Sequence, residues 1–273
     1  MKKFLLMMVA ITSLLAPTLA SAANSPSEKS TLTEIKERGT LRVGLSTFVP
    51  WAMRDKQGEL IGFEVDVARR LAKDAGLKVE FIPTAWDGII PALLAGKFDV
   101  IIGGMSITPE RNMSVLFTTP YAHSGVQLAA NRDIAGGKTT LDDFNNRSVT
   151  LAVRRGAFTV QTAKKYFPKA QLRQFDDDAQ AFQEVLNGNA QAVLASSPKP
   201  EQMTIQYGNK LYLPFTERLS RGSEAFAIRH GEFDLLNFFN NWILLRNEDG
   251  WLKERHDFWF TTLDWQDQVA EGQ

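Results

Sequence analysis

The sequence predicts an α/β protein whose two lobes each hold a parallel sheet wrapped by helices. Short apolar runs alternate with amphipathic helical stretches, and the same rhythm begins again after Gly136-Gly137-Lys138 and resumes after Arg221-Gly222. Strand, helix and strand in regular succession are typical of a parallel sheet covered by helices. The hydrophobic fraction of 44% is that of a globular protein, and 273 residues suffice for two domains of ordinary size.

Residues 1–22 have the pattern of a secretory signal peptide, with two lysines, an apolar stretch from Phe4 to Leu15 and small residues at Ala20-Ser21-Ala22. A membrane anchor is the weaker interpretation, because the apolar stretch is shorter than the roughly 20 residues that a bilayer requires. Because the chain contains no cysteine, we expect neither a lipid anchor nor disulfide bonds. We therefore expect a mature protein that is free in the periplasm.

The first lobe is predicted from an apolar stripe and three apolar runs. Phe63, Val67 and Leu71 recur at i, i+4 and i+8 with charged residues on the opposite face, which is typical of a helix packed on a sheet. The predicted elements are strand Leu41–Leu45, a helix near 63–76, strand Val79–Ile82, a helix near 87–95 and strand Val100–Ile102.

The second lobe repeats this order, and the chain then returns to the first. The predicted elements are strand Val149–Val153, a helix near 157–167, a strand near 171–175, a helix near 178–187, strand Ala192–Ala195, strand Glu224–Ile228 and a long helix from about Phe233 to Glu248. Asp176-Asp177-Asp178 precedes a helix, and we interpret these carboxylates as a solvated cap rather than a metal site.

The charge balance excludes some partners. Thirty-one basic residues match 31 acidic ones, so nothing favours nucleic acid or an anionic membrane surface as a partner. The histidines, His123, His230 and His256, lie far apart in the sequence, and no phosphate-binding or nucleophile motif is complete. The sequence therefore predicts no metal and no cofactor.

The most informative segment is the run from Ile101 to Arg111. A buried strand opens through Gly103-Gly104 and the hydroxyls of Ser106 and Thr108 onto a short helix that carries Arg111. Glycines let a ligand approach the backbone, and an arginine can grip a carboxylate with two parallel hydrogen bonds. The run thus predicts a carboxylate site, and a surface salt bridge after an ordinary strand-to-helix turn is the alternative.

Several sequence blocks, in their order and spacing, resemble those of a known family. They are Gly39–Gly44, Pro50-Trp51, Gly58–Ala68, Pro83–Val100 and Phe117–Tyr121. From about Leu32 to about Trp265 the chain resembles the periplasmic solute-binding proteins that feed ABC importers, specifically the family that binds polar amino acids.

This resemblance implies the type II periplasmic binding protein fold, with two α/β lobes, a two-strand hinge and a ligand cleft between them. The first lobe is expected at 31–130 and 222–273 and the second at 131–221, with Gly125–Asn131 and Ser223–His230 as the crossovers. The implied partners are a small ligand with a carboxylate and an inner-membrane ABC permease, and the protein is expected to be a monomer.

The resemblance also implies the site residues. Arg111 and Ser106 match the side chains that hold the ligand α-carboxylate, and Gly104 matches a backbone contact. Trp51 and Trp86 match the aromatic pair around the ligand, although a tryptophan is otherwise more often a core residue. The backbone N–H of Phe158 is expected to complete the carboxylate site. Arg154 matches a position from which a side chain reaches that of the ligand; the alternative is that Arg154 points to solvent.

Two departures from the family pattern concern charge. The aspartate that takes the ligand ammonium is replaced by Ser196, and a second aspartate is replaced by Leu45. An ammonium buried without a charged partner costs several kcal/mol. Three possibilities stay open: Glu224 or another carboxylate substitutes, the tryptophan faces hold the cation, or the ligand lacks an ammonium.

An enzyme of this fold, cyclohexadienyl dehydratase, is the alternative function. In that enzyme a glutamate a few residues after the ammonium-type aspartate donates a proton, whereas this chain has Ser196-Ser197-Pro198-Lys199-Pro200 there. General acid catalysis then has no candidate in that position, so we expect a binding protein and no enzyme. A sensing module of a larger receptor is a third, less favoured class, because the sequence ends at Gln273 without an effector domain.

Overall fold

A computed structural model describes residues 29–270 of the protein. The predicted signal peptide lies outside these described residues. No helix within 29–270 has the length and apolar character needed to cross a membrane.

Helices and strands alternate along most of the chain. The helices are α1 (Thr31–Arg38), α2 (Phe63–Asp74), α3 (Ile89–Leu94), α4 (Pro109–Asn112), α5 (Arg132–Ala135), α6 (Leu141–Phe144), α7 (Phe158–Tyr166), α8 (Asp178–Leu186), α9 (Lys199–Gln206), α10 (Phe233–Glu248) and α11 (Trp251–Thr261). The strands are β1 (Thr40–Leu45), β2 (Met53–Arg54), β3 (Leu60–Ile61), β4 (Lys78–Pro83), β5 (Val100–Ile101), β6 (Leu116–Phe117), β7 (Ala122–Asn131), β8 (Thr150–Arg154), β9 (Gln171–Phe175), β10 (Ala192–Ser196), β11 (Leu211–Tyr212), β12 (Ser220–Glu224) and β13 (Ala227–Ile228).

The first sheet has the order β4-β1-β5-β13-β6. Strand β1 pairs in parallel with β4 and β5, and β13 returns antiparallel to β5 and β6. Helix α2 packs its stripe of Phe63, Val67 and Leu71 into a buried cluster with Phe239 and Trp242 of α10. The predicted amphipathic helix is therefore confirmed. Its apolar face packs against α10, which follows the second sheet in the sequence.

The second sheet has β11-β7-β10-β8-β9 as its main order. Strands β8, β9 and β10 are parallel, and β7 runs antiparallel to β10. Buried clusters contain alternate residues of β8 and β10, with Leu151 and Leu194 in one cluster and Ala152 and Val193 in another. Both faces of this sheet are thus covered, as expected for a parallel sheet with connecting helices.

The chain passes between the sheets through an antiparallel pair of strands, and here two expectations are wrong. Residues 126–130 of the predicted crossover Gly125–Asn131 pair with β10 inside the second sheet, and the β12 pairing covers 122–126. The predicted strand Glu224–Ile228 is divided, because β12 ends at Glu224 and the Ala225 N–H then bonds to the Met105 carbonyl.

Other predicted elements are confirmed with small shifts in their ends. The helix expected near 87–95 is split into a 3₁₀ turn, Trp86–Gly88, and α3. Helices α1, α5, α6, α9 and α11 were not expected. The predicted limits of the two lobes stay a prediction, since the sheets alone do not fix where each lobe ends.

A close approach at Gly62 fixes the segment that carries Trp51. Gly62 has φ +127°, and a Cβ atom there would lie 2.5 Å from the Trp51 carbonyl oxygen. That carbonyl accepts a hydrogen bond from the Glu64 N–H at 2.9 Å, at the start of α2. Because only glycine readily adopts this backbone conformation and leaves room for the carbonyl, Gly62 couples α2 to the segment before β2.

We expect Gly62→Ala to lower the free energy of unfolding by about 2–4 kcal/mol, since it combines backbone strain with a steric clash. Gly76→Ala is the matched control, because Gly76 also has positive φ but open space around it. It should cost only about 1 kcal/mol. Urea unfolding followed by circular dichroism measures both, and equal losses would contradict the role assigned to the Trp51 contact.

Candidate ligand-binding cleft between the two sheets

Arg111 spans the junction between the two sheets. It lies in α4, which Thr108 caps by accepting a hydrogen bond from the Arg111 N–H. Its Nη1 donates to the Ser106 carbonyl at 2.7 Å and its Nη2 donates to the Gly156 carbonyl, in the turn after β8, at 3.0 Å. Burial lowers the pKa of Arg111 to about 10, so the side chain stays a cation at neutral pH.

A buried carboxylate lies beside this arginine. Glu224 is 1% exposed, and its Oε1 accepts hydrogen bonds from the hydroxyls of Ser124 at 2.6 Å and Ser106 at 3.2 Å. Its Oε2 is buried and has no hydrogen-bond partner. Burial raises the pKa of Glu224 to about 7, so a nearby cation would strongly favour its ionised form.

A second buried carboxylate supports the glycine turn. The Tyr121 hydroxyl donates to Glu64 at 2.6 Å and accepts from the Gly104 N–H at 3.2 Å. Burial raises the pKa of Glu64 to about 8, and the charge of Glu224 adds to this rise. Gly104 has φ +61°, and a Cβ atom there would lie 2.9 Å from the Phe48 ring. The glycine therefore lets an aromatic ring reach the turn.

The aromatic wall contains one ring that the sequence analysis missed. Trp51 is 1% exposed and stacks on Phe48 with centroids 5.7 Å apart. Phe48 also meets Trp86 edge-on at 6.3 Å. Trp51 thus lies behind Phe48 in a buried cluster, and Phe48, which is half-buried, stands between the two tryptophans.

Arg154 is buried between the sheets, at 4% exposure, and does not point to solvent. Its Nη2 donates to the Ser46 hydroxyl at 2.5 Å, and its Nη1 lies 4.0 Å from Asp178. The guanidinium carbon is 5.3 Å from the Trp86 ring centroid and 5.5 Å from that of Phe48. Both distances are within the range of cation–π attraction.

Asp178 corrects the interpretation of the three aspartates. Asp177 does cap α8 by accepting from the Gln180 N–H at 2.8 Å. Asp178, however, is only 17% exposed at its side chain and faces Arg154. Burial raises the pKa of Asp178, and the charges of Arg154 and Lys199 oppose that rise.

The remaining candidate residues lie at the edges of the cleft. Ser196 ends β10 and lines a small cavity with Phe48 and Lys199. Phe158 begins α7, two residues after the Gly156 carbonyl that Arg111 contacts. Leu45 is fully buried in a small cluster with Ala52, so it is a core residue.

The structure therefore brings Trp86, Gly104, Ser106, Arg111 and Arg154 together where the sheets meet. Within residues 29–270, no group of three or more metal-ligating side chains could hold a metal ion. The arrangement offers two arginines, a carboxylate with a free acceptor oxygen and aromatic rings, which suits a small ligand with both negative and positive groups.

The additional residues of the cleft gave weak signals in the sequence. Phe48 lies two residues before the Pro50-Trp51 block. Tyr121 is the last residue of the block Phe117–Tyr121. Ser124 and Asp178 carry no local motif, since each contributes only through pairing with distant residues. Their roles depend on the register of β7 with β12 and on where α8 begins.

Known proteins resemble the chain over most of its length. The L-cystine-binding protein TcyJ of Escherichia coli K12 is 31% identical over 240 residues, covering 88% of this chain and 89% of that protein. The cyclohexadienyl dehydratase of Pseudomonas aeruginosa is 27% identical over 269 residues, covering 93% and 94%.

A solved structure confirms the predicted fold class. The ancestral amino acid-binding protein AncCDT-1, described as a precursor of cyclohexadienyl dehydratase, superposes with a TM-score of 0.76 at 42% identity, covering 85% of this chain and 100% of that one. The fold is that of the type II periplasmic binding proteins. Residues 41–262 match the model of one family. Its fold, its aligned length and its relatives agree: the chain belongs to the bacterial extracellular solute-binding proteins, family 3.

Proposed function

We propose that the protein is the solute-binding component of an amino-acid ABC importer and that it captures a small ligand through its carboxylate. The observation that carries this proposal is Arg111, whose guanidinium joins the Ser106 carbonyl to the Gly156 carbonyl across the junction of the sheets. A carboxylate between these elements would accept two charge-assisted hydrogen bonds from Arg111, which are stronger than the bonds to neutral carbonyls.

Glu224 supplies the counter-ion for the ligand ammonium in this proposal. Its Oε2 is buried without a partner, while its Oε1 is fixed by the two serines. Ser196 offers only a neutral hydroxyl in place of the aspartate of the family. Glu224, at the end of β12, supplies the negative charge instead. An α-amino acid or a close analogue then has one charged partner for each of its ends.

The partner and compartment follow from the family. Proteins of this family work with ABC permeases, and the predicted signal peptide favours the periplasm. We propose that the protein acts there as a monomer and delivers its ligand to an inner-membrane permease. Closure of the cleft is supported by contacts that already join the sheets, including the bond that Gln161 donates to Glu110.

The dehydratase relative favours one alternative, an enzyme. Glu224 is a buried acid with a pKa near 7, a property common at catalytic sites. We nevertheless propose binding without chemistry, since the stretch Ser196-Ser197-Pro198-Lys199-Pro200, where the resemblance places the proton-donating glutamate of the dehydratase, contains no acid.

The protein should release its ligand unchanged. We expect mass spectrometry to recover the same compound after incubation with stoichiometric protein. A dehydrated or hydrolysed product, absent from a sample with boiled protein, would contradict the binding function.

Arg111→Lys should weaken ligand binding by about tenfold or more, because an ammonium cannot reproduce the two parallel bonds of a guanidinium. Calorimetry with the amino acid that gives the largest thermal shift in a panel of standard amino acids and L-cystine measures the loss. Arg155→Lys is the matched control, because Arg155 follows β8 directly but is half-exposed and pairs with Asp176. Equal affinities for the two variants would contradict the carboxylate site.

Ligand affinity should rise with pH between about 5 and 8 and then level off. The free protein holds a proton on Glu224 below its pKa of about 7, and an ammonium must displace that proton. Glu224→Gln should bind more weakly and lose most of this pH dependence. The exposed Glu217→Gln is the control, and an unchanged pH profile in Glu224→Gln would exclude Glu224 as the counter-ion.

A further inference from the structure

The side chain of Glu224 occupies a gap in the pair of strands that connects the two sheets. Strands β7 and β12 are antiparallel, and Ser124 lies directly opposite Gly222. A Cβ atom on Gly222 would lie 2.6 Å from the Oε1 of Glu224. It would also lie 3.1 and 3.3 Å from the hydroxyl oxygens of Ser106 and Ser124. These three oxygens therefore fill the space that a side chain at residue 222 would need.

The backbone around Glu224 is fixed from two directions. Ser106 forms an isolated antiparallel bridge with Glu224, and the Ile107 N–H donates to the Ser223 carbonyl at 2.9 Å. The Tyr121 N–H donates to the Glu224 carbonyl at 3.0 Å. Because the backbone is held in this way, the direction in which the carboxylate points depends on its side-chain contacts.

The two hydroxyls that contact this carboxylate differ in distance. Ser124 donates to Oε1 at 2.6 Å, whereas Ser106 donates to the same oxygen at 3.2 Å. Hydroxyl bonds to an ionised carboxylate are about 2.5–2.7 Å long, so Ser124 makes the stronger bond. Within residues 29–270, the buried Oε2 of Glu224 has no hydrogen-bond partner. Ser124 thus holds one oxygen and leaves the other for a ligand.

The titratable groups near Glu224 act on its charge in opposite senses. Arg111 favours the ionised form, since the two charges attract. Glu64 disfavours a second buried negative charge, and Tyr121, which donates to Glu64, remains neutral because burial raises its pKa well above the usual value. His123, beside Ser124 in β7, is exposed on the opposite face of the strand.

Hydrogen bonds decide how readily this buried carboxylate ionises. Burial raises the pKa of Glu224 to about 7, and the bonds from Ser124 and then Ser106 oppose that rise. Both bonds stabilise the charged form, so removal of a donor should raise the pKa further. A ligand ammonium would then find fewer ionised carboxylates at a pH near 6.

We propose that Ser124 is a positioning residue of the ammonium site: its hydroxyl, in the space that Gly222 leaves open, holds the Glu224 carboxylate so that Oε2 meets a ligand ammonium. The proposal rests on the proposed function, because Glu224 is taken to be the counter-ion. Ser124 acts through Glu224 in this arrangement and does not itself bind the ligand.

Pairs of compounds that differ in the ammonium group test the proposal on the mature protein. The probes are the standard primary amino acids and L-cystine, each paired with the same acid without its α-amino group, as L-glutamine is with glutaramate and L-arginine with 5-guanidinopentanoate. Calorimetry between pH 5 and 8 follows the amino acid that binds wild type most tightly, together with its deaminated partner.

Ser124→Ala should weaken binding of the amino acid by about fivefold or more at pH 6, because a hydrogen bond to a charged group is lost. The midpoint of its pH profile should move upward by about half a pH unit or more. The deaminated acid should bind as it does to wild type, and Ser124→Thr, which keeps the hydroxyl, should restore the profile. Ser220→Ala is the matched control, since Ser220 lies in β12 but bonds to the Thr162 hydroxyl.

Two further variants separate positioning from a general loss of structure. Gly222→Ala keeps both hydroxyls but places a methyl group where Oε1 lies, so it should weaken the amino acid and spare the deaminated acid. Ser124→Ala combined with Glu224→Gln should bind the amino acid as Glu224→Gln does alone, because a residue that acts through Glu224 has no effect without it. Circular dichroism establishes that each variant is folded.

Three outcomes would contradict the positioning role. They are an unchanged pH profile in Ser124→Ala, equal losses for the amino acid and its deaminated partner, and a Ser124→Ala loss that adds in full to that of Glu224→Gln. By contrast, wild-type affinity and pH profile in Glu224→Gln would overturn the counter-ion of the proposed function and the role of Ser124 with it. Binding of no amino acid in the panel would overturn the proposed function as a whole.

Discussion

The desolvation of charge at the junction of the sheets is the constraint on which this site depends. Arg111, Arg154, Glu224 and Asp178 are all withdrawn from water to a large degree, and each is held by partners from a different part of the chain. Buried charges are tolerated only when they are paired or bound by hydrogen bonds. The Oε2 of Glu224 is a place where this pairing is incomplete, and a ligand ammonium can complete it.

The contacts that join the two sheets across the cleft also define what a ligand must replace. Arg111 bonds to the Gly156 carbonyl, and Arg154 bonds to the Ser46 hydroxyl, each across the junction. Opening the cleft breaks these bonds and exposes the cations to water. A ligand with a carboxylate replaces a neutral acceptor by a charged one, so its binding favours closure of the cleft.

The sequence predicted the parts of the site that are local. The run from Ile101 to Arg111 carries its own turn glycines, cap and cation, and α2 carries a complete apolar stripe, so neighbouring residues determine both. Phe48, Ser124 and Asp178 could not be predicted in the same way, because each reaches the site through the register of strands and the packing of distant helices. The crossover was misplaced for the same reason: β7 is buried along almost its whole length, and nothing local shows that its second half pairs with β10.

A structure of the protein with its ligand tests the central claim most directly, namely that Arg111 and Glu224 hold the two charged ends of an amino-acid group. The ligand is the compound with the highest affinity in the calorimetric panel. A crystal structure of that complex should place a ligand carboxylate within about 3 Å of both Nη atoms of Arg111 and an ammonium within about 3 Å of the Glu224 Oε2. A ligand that leaves Arg111 bonded to the Gly156 carbonyl, with its ammonium distant from Glu224, would contradict the account.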